Sequence, residues 1–193
     1  MKGRFVYGVL LALVVLGVFF GLKLKSSRLQ EMPVTYQVPD VELLDQQGET
    51  VPLRSYLNAE LPVMLMFGFT SCTTLCPEQS VLFANLQHHF EDSRQVRLVT
   101  ITVDPETDRP EVLRAYLEKF GARPGWDFLT GSKEDIGRVM EAFDYRPTDM
   151  VTLRSALLMR AARSAEWIRV DGDLNGKQLE EWYGQLVGPA KRN

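Results

Sequence analysis

The chain carries only two cysteines, both in the stretch Cys72-Thr73-Thr74-Leu75-Cys76-Pro77. Two thiols this close allow three kinds of chemistry. They can cycle between dithiol and disulfide, because a loop residue at 72 can curl back to bonding distance. They can hold a soft ion of low coordination number such as Cu(I). They can also be a structural staple, although a bridge across so short a loop constrains little of the unfolded chain. Pro is favoured at the first position of a helix, so the sequence predicts a helix beginning at Pro77 with Cys76 as its cap. A sulfur there meets unpaired backbone N–H groups and the positive end of the helix dipole, which both favour thiolate. On this reading Cys76 has the lower pKa and Cys72 is the more exposed.

The elements around the pair must hold it in place. Residues 63–69 (VMLMFGF) are apolar throughout, as in a central strand covered on both faces, and they lead directly to Cys72. The stretch between a central strand and the following helix is where open α/β sheets place their sites. Beyond Pro77, Leu82, Phe83, Leu86 and Phe90 recur at helical spacing. Residues 96–103 (VRLVTITV) predict a second buried strand, 110–120 a helix stopped by Gly121, 127–130 a short strand and 134–143 a third helix. Residues 155–159 and 167–170 predict a hairpin, and 177–187 a last amphipathic helix. Ahead of all these, Asp45-Gln46-Gln47-Gly48 between Val41, Leu43, Leu44 and Val51, Leu53 is a hairpin signal. The order describes an α/β sandwich around one mixed sheet.

With those residues in place, the sequence resembles the SCO/SenC family from about Tyr36 onward. The segments that carry the likeness are Phe67-Gly68-Phe69-Thr70-Ser71-Cys72-Thr73-Thr74-Leu75-Cys76-Pro77 and Val103-Asp104-Pro105-Glu106-Thr107-Asp108-Arg109-Pro110. Leu113-Arg114-Ala115-Tyr116 and Phe128-Leu129-Thr130-Gly131 follow in order and spacing. The resemblance implies a thioredoxin-like fold with an N-terminal hairpin and one inserted helix. It also implies a membrane-anchored protein that assists copper-centre assembly in cytochrome c oxidase. In such a protein Cys72 and Cys76 bind copper or exchange disulfides, and Asp104 lies near them. The implied partners are protein thiols or disulfides, on an oxidase copper-site subunit or a copper chaperone.

The family's third copper ligand is a His followed by Ser, and here Arg154-Ser155 takes that place. An arginine stays protonated and has no lone pair for a metal. Both histidines, His88 and His89, fall about 18 Å along the predicted helix from Cys76 and are expected to be solvated helix residues. Met150 and Met159 offer thioethers but are expected in or near the core. The segment Thr73-Thr74-Leu75-Cys76-Pro77 is also similar to the Thr-x-x-Cys-Pro motif of peroxiredoxins, although Phe69 stands where those enzymes carry Pro. In them an arginine steadies the reactive thiolate. A guanidinium at Arg154 would lower a thiol pKa and weaken cation binding together, which favours thiol exchange over copper carriage. A copper chaperone using Cys72 and Cys76, and a peroxidase using Cys76, are the alternatives.

Composition bounds the setting. With 45% hydrophobic residues the chain can bury a full core. Four of the 22 basic residues and none of the 25 acids lie in residues 1–25, so the rest is mildly acidic and unlike a nucleic-acid binder. Residues 5–22 carry no charge, a run that would span roughly 27 Å as a helix. The run is longer than a signal-peptide core and lacks a small-x-small cleavage site after it. The expected organisation is a membrane anchor at 1–25, a tether at 26–38 and the α/β domain at 39–193. That domain is expected on the outer face of the cytoplasmic membrane, in the periplasm or an equivalent oxidising compartment. The full-length protein should therefore sediment with membranes and resist carbonate extraction. Recovery of a soluble mature form beginning near residue 26 would instead mean a cleaved signal peptide.

Overall fold

The computed structural model describes residues 30–58, 60–89, 95–146, 156–172 and 174–187. Residues 5–22 lie outside this set. Among the described residues no helix is long and apolar enough to cross a membrane.

The fold is organised by β4 (Val63–Gly68), in which every residue is buried. An apolar strand of this kind needs cover on both faces, and it sits inside a six-stranded sheet. The sheet also contains β1 (Gln30–Val34), β5 (Arg97–Thr102), β6 (Trp126–Leu129), β7 (Ala156–Arg160) and β8 (Trp167–Asp171), in the order β1-β8-β7-β4-β5-β6. Strands β4, β5 and β6 run parallel, with Phe67 opposite Ile101 and Gly68 opposite Thr102. Strand β7 is antiparallel to both β4 and β8, and β1 is antiparallel to β8. Parallel neighbours need crossovers, and α2 (Leu75–His89) and α3 (Pro110–Lys119) supply them.

Side chains alternate along β4, which sorts the interior into two cores. Val63, Leu65 and Phe67 join Val99, Ile101, Leu158 and Phe143 on one side, beneath α4 (Lys133–Ala142) and the short α1 (Leu53–Leu57). Met64 and Met66 face the other side, where Phe83 and Leu86 of α2, Leu113 and Tyr116 of α3, and Leu179 and Trp182 of α5 (Gly176–Val187) converge. This is the mixed α/β architecture that the element order predicted.

Local signals explain the boundaries. Gly121, at φ +66°, ends α3 in the left-handed conformation that glycine tolerates. Ser132 caps α4 by accepting the Asp135 N–H. In the hairpin of β2 (Glu42–Leu44) and β3 (Thr50–Pro52), Asp45 Oδ1 accepts the N–H groups of Gln47 at 2.8 Å and Glu49 at 2.9 Å. The fully buried Arg160 closes the far end of the sheet by donating to the carbonyls of Leu57, Leu61 and Ser164.

Two segments differ from expectation. Part of the 26–38 tether is β1, and Pro33 there pairs opposite Ile168. An edge strand tolerates polar residues and a proline, so its sequence looks like a linker. Leu53, read as part of the hairpin, instead begins α1, which is too short to show a period.

Candidate redox and metal-binding site

Strands β4 and β5 end level with one another at Gly68 and Thr102. From there the chain turns through Phe69-Thr70-Ser71 to Cys72 and enters α2 at Leu75. Cys76 thus lies inside the first turn and is not the cap. The sulfur that faces the free N–H groups of the helix is that of Cys72. It accepts from Cys76 N–H at 3.4 Å, and the nearby N–H groups of Thr74 and Leu75 also favour its thiolate. The two thiols are close enough for each to act on the protonation of the other.

The cysteines are unequal, in the opposite sense to the sequence reading. Partial burial alone would push the Cys72 thiol up, but the N–H donors and the Cys76 thiol outweigh it and hold Cys72 below its ordinary value. Cys76 is pushed up to about 12, by burial first and then by its bond to Cys72 and the charges of Cys72 and Asp108. Cys72 is the more exposed of the two, as expected.

The surroundings fix Cys76 from below. Ser80 Oγ donates to the Cys76 carbonyl at 2.8 Å, so Tyr116, 3.0 Å from the same oxygen, is the donor to Ser80. Burial foremost raises Tyr116 to about 12, which keeps that proton in place. A cavity of ≈ 10 Å³, room for about one water, lies against Gly68, Cys76, Ser80, Tyr116 and Trp126. Buried Tyr145 stacks on Phe67 with centroids 4.3 Å apart, near enough for the charges of both cysteines to act on its hydroxyl.

Asp104, expected near the pair, organises the loop after β5. Its N–H donates to Thr102 Oγ1 at 2.9 Å, and its carbonyl accepts from Thr107 and Asp108. The carboxylate buried beside the pair is Asp108, which is fully enclosed. Burial raises its pKa against the opposing hydrogen bonds from Thr102 and Thr70.

The SCO1/SenC family model matches residues 32–159, which contain all of these groups. The chain belongs to the SCO1/SenC family. A SCO2-like protein of Rickettsia felis is 31% identical over 157 residues, covering 74% of this chain and 73% of that protein. The SCO1 homologue of Bacillus subtilis is 34% identical over 101 residues, covering 51% of each, so the match spans about half the length of such relatives. Among solved structures, BsSco is reported as having a disulfide switch and belonging to the Sco family of cytochrome c oxidase assembly proteins. It superposes with a TM-score of 0.65 at 25% identity, over 81% of this chain and 96% of that one. Yeast Sco1 with copper bound shares the fold, with a TM-score of 0.62 at 17% identity over 81% and 94% of the two chains.

The remaining SCO1/SenC candidates separate clearly. Arg154 and Met150 lie outside the described residues. Met159 is buried in the helix-side core. His88 and His89 are exposed; Arg123 donates to His88 at 2.7 Å, and His89 stands 3.6 Å from Glu180. Among the described residues no group of three or more His, Cys, Asp or Glu could hold a metal. Among the described residues what remains is a pair of soft sulfur donors, the ligand type that suits Cu(I). The sequence reading missed Asp108, Ser80, Tyr116 and Tyr145. The usable signal was Thr70 and Thr102, polar residues at the ends of two apolar strands that needed a partner.

The inequality has a direct test. In the full-length Cys76→Ser protein, iodoacetamide should modify Cys72 with a midpoint below the ordinary thiol value of about 8.5. In Cys72→Ser, Cys76 should react at least tenfold more slowly at neutral pH. The linkage signs are opposite. The depressed Cys72 stabilises the reduced fold above its ordinary pKa and loses that contribution as pH falls through the folded value. The raised Cys76 stabilises it below its ordinary value and loses that contribution as pH rises toward 12. Equal reactivity of the two variants would contradict the assignment.

Proposed function

We propose that this chain is a membrane-anchored SCO1/SenC accessory protein that exchanges disulfides through Cys72 and Cys76 during copper-centre assembly of a respiratory cytochrome oxidase. The observation that carries this reading is the asymmetry of the pair: an accessible Cys72 favoured as thiolate beside a buried Cys76 that keeps its proton. Nucleophilic attack needs a thiolate that can be reached, and the resolving thiol has to act only afterwards. Residues 5–22 serve as the anchor, and the domain works in an oxidising compartment.

In the forward direction the Cys72 thiolate attacks one sulfur of a partner disulfide. The partner S–S bond breaks, a mixed disulfide forms, and the departing partner sulfur takes up a proton. Cys76 then loses its proton and attacks Cys72 Sγ, releasing the second partner thiolate. The partner is reduced and the Cys72–Cys76 pair is oxidised. Copper-site cysteines must be reduced to ligate the metal, so this direction prepares a site for loading. Arg154, at the position of the family's histidine, adds positive charge that favours the attacking thiolate. The high pKa of Cys76 speaks against its use as a peroxidatic nucleophile.

Copper carriage is the second reading, favoured by the contact between the two sulfurs and by the copper-bound state of the similar yeast protein.

Mixing the reduced full-length protein with glutathione disulfide tests the exchange. Cys76→Ser should accumulate a mixed disulfide on Cys72, whereas Cys72→Ser should trap little. Equal trapping at Cys76, or none in either variant, would sink the exchange reading.

Anaerobic Cu(I) titration of the reduced protein against a competing chelator addresses the metal. Affinity should be modest, and Arg154→His should tighten it at least tenfold, about 1.4 kcal/mol. Tight Cu(II) binding with nitrogen coordination in the unaltered protein would show that Arg154 does not mark a missing ligand.

A further inference from the structure

Asp108 has a bonding arrangement beyond what simple packing requires. Its carboxylate is wholly buried, and among the described residues no Lys or Arg pairs with it. An ionised group enclosed without a counter-ion is costly unless donors surround it. Here they do. Thr70 N–H lies 3.2 Å from both carboxylate oxygens, Thr70 Oγ1 donates to Oδ1 at 2.5 Å, and Thr102 Oγ1 donates to Oδ2 at 2.6 Å. Thr102 Oγ1 in turn accepts Asp104 N–H.

These contacts tie the end of β5 to the first turn of the cysteine loop. Thr70 follows Phe69, and Phe69 contacts both cysteines. Its carbonyl accepts Cys72 N–H at 3.4 Å, and its N–H is placed to favour the charged form of the Cys76 thiol. A continuous path therefore runs from Asp108 through Thr70 and Phe69 to the backbone of Cys72 and the surroundings of the Cys76 thiol. Only a carboxylate can accept the N–H and the hydroxyl of Thr70 while also accepting from Thr102. An asparagine would turn its amide donor toward one of them.

Building on the thiol-exchange reading, we infer that Asp108 is a positioning residue that holds the cysteine loop in the geometry of the reduced state. In the oxidised state the S–S bond itself links residues 72 and 76. In the reduced state only hydrogen bonds keep Cys72 Sγ against the N–H groups of α2. Loss of the Asp108 clamp should thus destabilise the dithiol form more than the disulfide form.

The test equilibrates the full-length protein with glutathione redox buffers, in which two glutathione thiols reduce the protein disulfide and yield one glutathione disulfide. Asp108→Asn should shift this equilibrium about tenfold toward the protein disulfide, about 30 mV for a two-electron couple. Thr70→Val, which keeps the carboxylate and the backbone donor, should shift it the same way by a smaller factor. It also supplies the answer if Asp108→Asn fails to fold. A purely electrostatic role predicts the opposite sign, because removing a negative charge favours thiolate. A purely structural role predicts a lower melting temperature with the equilibrium unmoved. Either result in the folded variants would overturn the inference. If the unaltered protein never equilibrates with glutathione, the exchange reading itself fails.

Discussion

The first backbone N–H groups of an α-helix have no partner within the helix, and in this protein a sulfur answers them. Cys72 takes the role usually given to a serine or aspartate side chain at the start of a helix. The requirement is structural, because α2 carries Phe83 and Leu86 into the helix-side core. Its consequence is chemical, because the same donors favour the charged form of the thiol. The reactivity of one cysteine and the anchorage of one helix therefore rest on the same hydrogen bonds.

The rest of the fold serves to deliver the chain to that point. Strand β4 is buried throughout and flanked on both edges, so its end is fixed by packing rather than by the loop that follows. The parallel partner β5 ends level with it, which brings Thr102 and the loop after it to the cysteines. Below Cys76, the chain of donors from Tyr116 to Ser80 to the Cys76 carbonyl connects α3 to the first turn of α2. Cys76 is buried and held by these contacts, while Cys72 is only partly covered.

The strands and helices around the site were legible because their apolar residues recur at the periods of buried elements. The cysteine pair was legible from residue type and spacing. Which cysteine is activated was not, and the reason is two residues wide. A helix starting at Pro77 places Cys76 at its head, whereas one starting at Leu75 places the N–H groups around Cys72. Pro77 allows either start, since a first-turn residue has no intrahelical use for its N–H. Asp108 stayed hidden because its partner Thr70 is distant in sequence, and periodicity gives no sign that a charged residue is enclosed. Strand β1 was read as a linker because an edge strand gains little from hydrophobic residues and does not exclude proline.

The incorporation of Gln30–Val34 into the sheet also fixes a length. With the anchor proposed at residues 5–22, only residues 23–29 separate the bilayer from the edge of the sheet, a leash of at most roughly 25 Å. A domain held so short would not sweep a large volume in search of its target. On that proposal its encounters would be confined to a thin layer above the lipid, where a membrane-bound partner would meet it by lateral diffusion. The choice of substrate in the proposed exchange would then be set partly by altitude: a disulfide displayed close to the bilayer surface would be within reach, and the same disulfide on a tall or freely soluble protein would seldom be met.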